Sequence, residues 1–250
     1  MLNIIILAAG RGSRLKKLTR ITPKALIKVD NDKTILDIQL KILKKITNSK
    51  ITIITGFQKN QFYEKFKNEN FSFIFNKNWK NTNMMYSLNC ANKLLTKNPS
   101  LILYSDIIYS DDIISKMIQN KNMLSIAYDI NWLSLWKKRF KKPETDAESF
   151  YINKKNIITE IGNKIQKKDL NKINGQYMGI VKIYPKAWKL IKNKFKNSEL
   201  KNQHLTHVLS KVVDNKIMNL YGVKNTQAWY EIDNQNDLKF VKQNLKKIKC

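Results

Sequence analysis

Cysteine is almost absent: Cys90 and Cys250 are the two in 250 residues. Two thiols, one of them in an apolar and helix-like stretch, exclude a disulfide framework and fit a reducing cytosol. Long hydrophobic runs are also missing. No segment approaches the roughly 18 apolar residues that a membrane span requires. The opening NIIILAA has no basic segment before it and is short for the core of a signal peptide. A soluble, cytoplasmic protein with no membrane partner is expected. Negative charge is scarce as well, with 19 Asp plus Glu against 47 Lys plus Arg and a formal charge of +28. Such a balance raises the question of a nucleic-acid partner. Lysine is nevertheless scattered with asparagine and isoleucine along the whole chain, as in the products of AT-rich genomes, whereas a nucleic-acid face clusters its cations with exposed aromatics. No nucleic-acid partner is expected, although a basic surface still attracts a small polyanion. Histidine is represented only by His204 and His207. With no carboxylate or cysteine nearby at zinc spacing, they read as ordinary helix residues.

What is present is an alternation. NIIILA, KITIITG, FSFIFN, SLILYSD and MLSIAYD read as buried strands, with TILDIQLKILKKI, NQFYEKFKN, MMYSLNCANKLL and DDIISKMIQN as helices between them. Thr34 is placed to cap the first of these helices. Unbroken apolar strands alternating with amphipathic helices predict a mainly parallel sheet covered on both faces. The length is compatible with a single domain over 1–250. After Asp129 the pattern loosens into a charged and aromatic excursion, in which Trp132, Trp136 and Phe140 share the spacing of a helix packed on a core. SFYIN and IITEIG then read as paired strands, followed by GQYMGIVKIY, two helices, the strands IMNLYGV and WYEID, and a closing helix.

The loop after the first strand carries the clearest chemistry. Ligands of parallel sheets settle beyond the carboxyl ends of the strands, where residues 7–24 fall. Gly10 and Gly12 let backbone N–H groups approach a phosphate, and Arg14 offers a bidentate cationic fork. Pro23 stiffens the approach to Lys24, a single ammonium suited to the phosphate under attack. A dinucleotide fingerprint requires a third glycine where Arg14 stands, and a Walker loop requires Gly-Lys followed by Ser or Thr. Two strand-end aspartates, Asp106 and Asp233, are candidate Mg²⁺ ligands, because Mg²⁺ takes one or two carboxylates and fills its octahedron with water and phosphate oxygens. By residue type alone, Asp233 reads equally as the cap of the last helix.

LAAGRGSRL and TPKALIKV together resemble the signature of the nucleotidyltransferases that join a nucleoside monophosphate from an NTP to a phosphorylated acceptor. NTNMMYSL, YSDI, DAES, EIG, GQYMGIVKIYP and YEID extend the resemblance over essentially the whole chain, nearest to the cytidylyltransferases of phosphocholine and related small acceptors. It implies an α/β, single-domain, Rossmann-like nucleotidyltransferase fold. Helices would flank a mainly parallel central sheet, and a small β excursion would lie on the acceptor side. Residues 1–129 would form the mainly nucleotide-binding half, 130–233 the mainly acceptor-side half and 234–250 a closing helix. It further implies Mg²⁺ held by Asp106 and Asp233, with CTP as donor and pyrophosphate as leaving group. Arg14 would hold the leaving phosphates and Lys24 the α-phosphate and acceptor. The nucleotide would contact Leu7, Ala8, Ala9, Gly10, Gly12, Ser13, Arg14 and Lys24, with Gly56 close to the base. A base pocket of backbone hydrogen bonds does not separate cytidine from uridine by residue type.

For the acceptor, the polar residues inside matching motifs are Asn83, Ser87, Asp129, Glu148 and Tyr177. Each has a plainer reading: Asn83 as a helix cap, Glu148 as a surface charge, Tyr177 as strand packing. Trp132 and Trp136 would suit a quaternary ammonium, as in the phosphocholine enzymes. DAES, EIG and GQYMG instead resemble the branch with the 2-aminoethylphosphonate and phosphoglutamine enzymes, and Asp129 and Glu148 would suit an amine-bearing acceptor. The resemblance thus implies phosphoglutamine, in capsule phosphoramidate synthesis, ahead of phosphocholine or 2-aminoethylphosphonate. Asn163 stands where close relatives tend to carry a basic residue, and His204 lies near a position that is acidic in them. Sugar-1-phosphate nucleotidyl transfer and a basic nucleic-acid-binding module are the rival functions.

Overall fold

Six consecutive residues of the first strand, Asn3–Ala8, are all buried, as an apolar strand covered on both faces must be. The computed structural model describes residues 1–248 and builds the rest of the sheet around this strand. The strands are β1 (Asn3–Ala8), β2 (Lys50–Thr55), β3 (Ser72–Phe75), β4 (Ser100–Tyr104), β5 (Ile107–Tyr109), β6 (Leu124–Asp129), β7 (Glu148–Ile152), β8 (Ile158–Lys164), β9 (Gln176–Ile183), β10 (Tyr221–Asn225) and β11 (Trp229–Glu231). The helices are α1 (Ile35–Ile46), α2 (Lys59–Lys65), α3 (Met84–Cys90), α4 (Asn92–Leu95), α5 (Asp111–Gln119), α6 (Trp132–Arg139), α7 (Pro185–Lys194), α8 (Asn197–Leu200), α9 (Leu205–Asp214) and α10 (Gln235–Asn244). The expected closing helix over 234–250 is therefore shorter, and positions 249 and 250 lie outside the described residues.

The main sheet has seven strands in the order β10-β6-β9-β4-β1-β2-β3. All neighbours pair in parallel except β9, which is antiparallel to β4 and β6. Reversal of β9 brings its first residues, Gln176 and Tyr177, to the rim where β1, β4 and β6 end. The expected β excursion is the antiparallel pair β7 and β8. A further small pairing is not apparent from hydrophobic periodicity: β5 and β11 are antiparallel, with Glu231 opposite Ile107 and the Ile232 N–H donating to the Asp106 carbonyl at 2.9 Å.

Local signals explain the scaffold. Thr34 caps α1 reciprocally: its hydroxyl accepts from the Asp37 N–H at 3.3 Å while Asp37 accepts from the Thr34 N–H at 2.8 Å. The buried face of α1 carries Ile35, Leu36, Ile38, Leu40, Ile42 and Leu43 against the sheet. Gln39, fully buried on the same face, donates to the carbonyls of Tyr104 and Ile107 and so braces the turn that holds Asp106. In the loosened stretch after Asp129, Trp132 and Trp136 are both buried on α6, as their spacing predicts. Among the described residues no helix is long and apolar enough to cross a membrane.

Candidate active site

The loop after β1 turns at Gly12, whose φ of +75° lies in the left-handed region open to glycine. A Cβ there would also come within 2.6 Å of the Lys24 Cβ, so glycine is required both for the turn and for the passage of the lysine. Lys24 follows Pro23 and is itself buried, with its ammonium between two carboxylates: 2.7 Å from Asp106 Oδ2 and 2.8 Å from Asp233 Oδ1. Arg14, largely exposed, reaches the same Asp233 oxygen at 2.8 Å. Burial alone would lower the Lys24 pKa, but the two aspartates outweigh it and raise it. Burial likewise opposes ionisation of Asp233, and Lys24, Arg14 and Arg139 overcome it and hold that carboxyl below its ordinary range.

Both sequence-derived acids therefore meet, and a third joins them. One oxygen each of Asp106, Glu231 and Asp233 lies within 4.8 Å of the others, the one group among the described residues that could hold a metal ion. Asp106 Oδ1 is buried with no hydrogen-bond partner, as suits an oxygen awaiting a hard cation. All-oxygen donors at this rim fit Mg²⁺ in residue type. Glu231 was legible in principle, since residues two apart in an extended strand face the same side. Burial and the Asp233 charge, partly opposed by Arg139, push its carboxyl up to about 7. Asp233 does not cap the last helix. Asn234 does, through its side chain, and this leaves the Asp233 carboxylate facing the cleft.

Two cavities meet at this cluster. One, of about 430 Å³, is lined by Leu7 of β1 and by Ala9, Gly10, Gly12, Ser13 and Lys24 of the loop, together with Trp79, Thr82, Asn83, Ser87 and Ser105. The other, of about 510 Å³, is lined by Tyr104, Trp136, Asp146, Glu148, Gln176, Tyr177, His207, Trp229 and Glu231 among others. Arg14, Met84, Asp106, His204 and Asp233 line both.

The remaining expected residues distribute unevenly. Ala8 is buried in β1 beneath the loop. Gly56 lines neither cavity. A Cβ on it would strike the Ala9 carbonyl at 2.5 Å and Trp79 at 2.6 Å, so it supports the loop from behind. Asn83 caps α3 by accepting from the Met84 N–H at 2.8 Å, and it opens onto the first cavity. Ser87 accepts from Asn76 at 3.0 Å and faces the first cavity rather than the second. Asp129 is not brought to the cleft at all: it is buried, accepts from the Trp229 indole at 2.9 Å and the Asn131 N–H at 3.0 Å, and lines a separate shallow hollow. Glu148 and Tyr177 both face the second cavity. Trp136 also lines it and donates to Asp146 at 3.1 Å, whereas Trp132 packs beneath. Burial raises the Asp146 and Glu148 carboxyls, the latter also through its acidic neighbour.

Besides Glu231, the cleft holds two histidines whose residue type and spacing gave no sign of a site. His204 immediately precedes α9 and lines both cavities, His207 lies in its first turn and lines the second, and the His204 ring is 3.0 Å from the Asn83 amide nitrogen. The only signal for them was their position beside the acceptor-side motifs.

A parallel sheet whose first loop carries glycines and cations to a carboxylate cluster between two cavities defines a nucleotidyltransferase. The MobA-like NTP transferase domain model matches residues 4–134, and the chain belongs to that family. It is similar over nearly its whole length to the CTP:phosphoglutamine cytidylyltransferase of Campylobacter jejuni, at 31% identity with 95% of this chain and 98% of that one covered. A shorter match, 40% identical over 34% of this chain and 36% of the relative, is to the choline-phosphate cytidylyltransferase of Streptococcus pneumoniae. Among solved structures, the inositol-1-phosphate CTP transferase of T. maritima shares the fold with a TM-score of 0.76 at 21% identity, covering 99% of this chain and 98% of that one. The CTP:phosphocholine cytidylyltransferase of Streptococcus pneumoniae does so with 0.72 at 21% identity, covering 98% and 99%.

Proposed function

We propose that the chain transfers CMP from CTP to a small phosphorylated acceptor bearing an amine, with phosphoglutamine of a capsule phosphoramidate route as the first candidate. The observation that carries this reading is the junction of two cavities at Arg14, Asp106 and Asp233, with Lys24 bridging the two acids. One cavity sits on the glycine loop and suits the nucleotide; the other suits the acceptor. Support for the acceptor class comes from the relative similar over the whole chain and from Asp146 and Glu148. Among the described residues, neither makes a salt bridge in a chain with 47 Lys and Arg. An ammonium group of the acceptor would meet negative charge that the protein's own cations offset only at a distance, Arg139 and Arg14 acting on Asp146.

In this reading an oxygen of the acceptor phosphate attacks the α-phosphorus in line, forming one P–O bond as the bond to pyrophosphate breaks. The acceptor phosphate is already largely ionised near neutral pH, so no general base is required and catalysis rests on alignment and charge neutralisation. Lys24 neutralises the α-phosphate and acceptor, Arg14 steadies the leaving phosphates, and Gly10 and Gly12 bring backbone donors close. Asp106, Asp233 and Glu231 are the residues that would hold Mg²⁺. The ion would supply charge stabilisation and alignment of the phosphates. Residues 1–129 serve mainly the nucleotide and 130–233 mainly the acceptor, with α10 closing the fold.

The test is pyrophosphate release with CTP, UTP or dTTP against phosphoglutamine, phosphocholine, 2-aminoethylphosphonate and a sugar 1-phosphate, with Mg²⁺ or EDTA. Release confined to CTP, Mg²⁺ and an amine-bearing acceptor is expected, with Asp106→Ala nearly inactive. Turnover only with a sugar 1-phosphate and UTP or dTTP, or undiminished turnover in EDTA, would sink the reading.

A further inference from the structure

Glu231, Asp233 and Asp237 fall within one short stretch of chain, and their carboxylates converge on a single guanidinium. That cation comes from far away in sequence. Arg139 ends α6, and its side chain is only 1% exposed. Its Nε and Nη2 clasp the two oxygens of Asp237 at 3.0 and 3.2 Å, Nη1 donates to Glu231 Oε2 at 3.0 Å, and Nη2 also donates to Asp233 Oδ2 at 3.3 Å. The guanidinium lies 5.2 Å from the Trp136 ring centroid and 5.0 Å from that of Phe140, which fixes its plane. A planar fork makes all four of these bonds to three carboxylates; an ammonium has too few donors, and none in a fixed plane, to reproduce them.

The consequence falls on Asp233. Its Oδ2 is committed to Arg139, so its Oδ1 points at Lys24 and Arg14. Glu231 is tethered by the same guanidinium. Charge balance among the buried acids calls for a cation here; what goes beyond balance is a planar fork bonded to both Glu231 and Asp233. Groups that orient metal-binding carboxylates commonly change metal affinity by about 10- to 100-fold when altered.

Resting on the metal-dependent reading above, we propose that Arg139 is the positioning residue of the carboxylate cluster. It holds Glu231 and Asp233 in the arrangement that accepts a divalent cation, and so makes cation affinity depend on the acceptor-side segment.

The experiment compares the wild type with Arg139→Lys by EPR titration of Mn²⁺, with CMP filling the nucleotide cavity, and by pyrophosphate release across Mg²⁺ concentrations. The variant should bind Mn²⁺ about 10- to 100-fold more weakly and require correspondingly more Mg²⁺ for half-maximal turnover. Its KM for CTP at saturating Mg²⁺ and its near-UV circular dichroism should stay unchanged. A folded variant with unaltered Mn²⁺ affinity and Mg²⁺ requirement, whatever its kcat or Tm, overturns the proposal. If Arg139→Lys does not fold, Asp237→Asn loosens the clasp from its outer end and must show the same weakened Mn²⁺ binding; unchanged binding in that folded variant overturns it equally. A wild type that neither binds Mn²⁺ nor transfers CMP would refute the enzymatic reading itself, and the role of Arg139 with it.

Discussion

One carboxylate, Asp233, answers three cations: Arg14 and Lys24 through Oδ1 and Arg139 through Oδ2. Removing the ammonium while keeping the shape, as in Lys24→Met, takes from Asp106 its ion-pair partner and leaves Asp233 to Arg14 and Arg139 alone. A fall in kcat of about 10²- to 10³-fold is expected, in line with the loss of one preorganised charge. Stability should fall as well, by roughly 3–5 kcal/mol if the pair behaves as other buried ones do. The pH dependence has a definite sign. The lowered pKa of Asp233 makes its stabilisation full above the ordinary carboxyl value of about 3.9 and lost as pH falls through the folded value. The raised pKa of Lys24 makes its share full below about 10.4 and lost as pH rises through the folded value. The Tm gap between wild type and variant should therefore be widest near neutrality and shrink at both extremes, as calorimetry across pH would show. Glu148 tests the acceptor side. Its raised carboxyl takes up a proton at a higher pH than an ordinary glutamate, so the KM of an amine-bearing acceptor should climb on mild acidification while that of CTP does not follow. Glu148→Gln should start with the higher acceptor KM and lose much of this pH dependence.

Among elements, the turn after β1 and the cap of α1 make a useful contrast. Gly12→Ala forces a side chain into a left-handed backbone and against the Lys24 Cβ 2.6 Å away. Strain of about 1–3 kcal/mol and a displaced lysine are expected, so both Tm and kcat should drop. Thr34→Ala loses the α1 cap at a comparable cost of about 0.5–2 kcal/mol, yet kcat measured below the melting transition should hold. The same contrast explains what could be read from the chain alone. Gly12, Arg14, Lys24 and the cap at Thr34 are local chemistry, legible because residue type and spacing state the function within one turn. Asp106 and Asp233 were legible as strand-end acids, but their meeting depends on the pairing of β5 with β11, which no periodicity encodes. Arg139 was hidden because a charged residue at the end of an amphipathic helix ordinarily faces water. Asp129 misled for the converse reason: an acid ending a parallel strand resembles a site residue until the Trp229 indole is seen to occupy it.

For the molecule as a whole, the charge of +28 bears on encounter rather than on fold. A net positive charge favours the approach of a polyanion such as CTP, and screening weakens that pull over about 10 Å at 0.1 M salt. The KM for CTP should accordingly rise between low and moderate salt while Tm changes little, a comparison that steady-state kinetics and thermal melts can make side by side. The reversed strand β9 also acts at this scale: by running against β4 and β6 it brings Gln176 and Tyr177 to the wall of the second cavity from the middle of the sheet.

The pairing of β11 with β5 has a consequence for synthesis on the ribosome. Residues 4–134 contain the glycine turn and Asp106, but Glu231 and Asp233 leave the ribosome long after them. A nascent polypeptide can therefore pair β1, β2, β3 and β4 before the carboxylate cluster exists, so the crowded acids come together on a sheet that is already built.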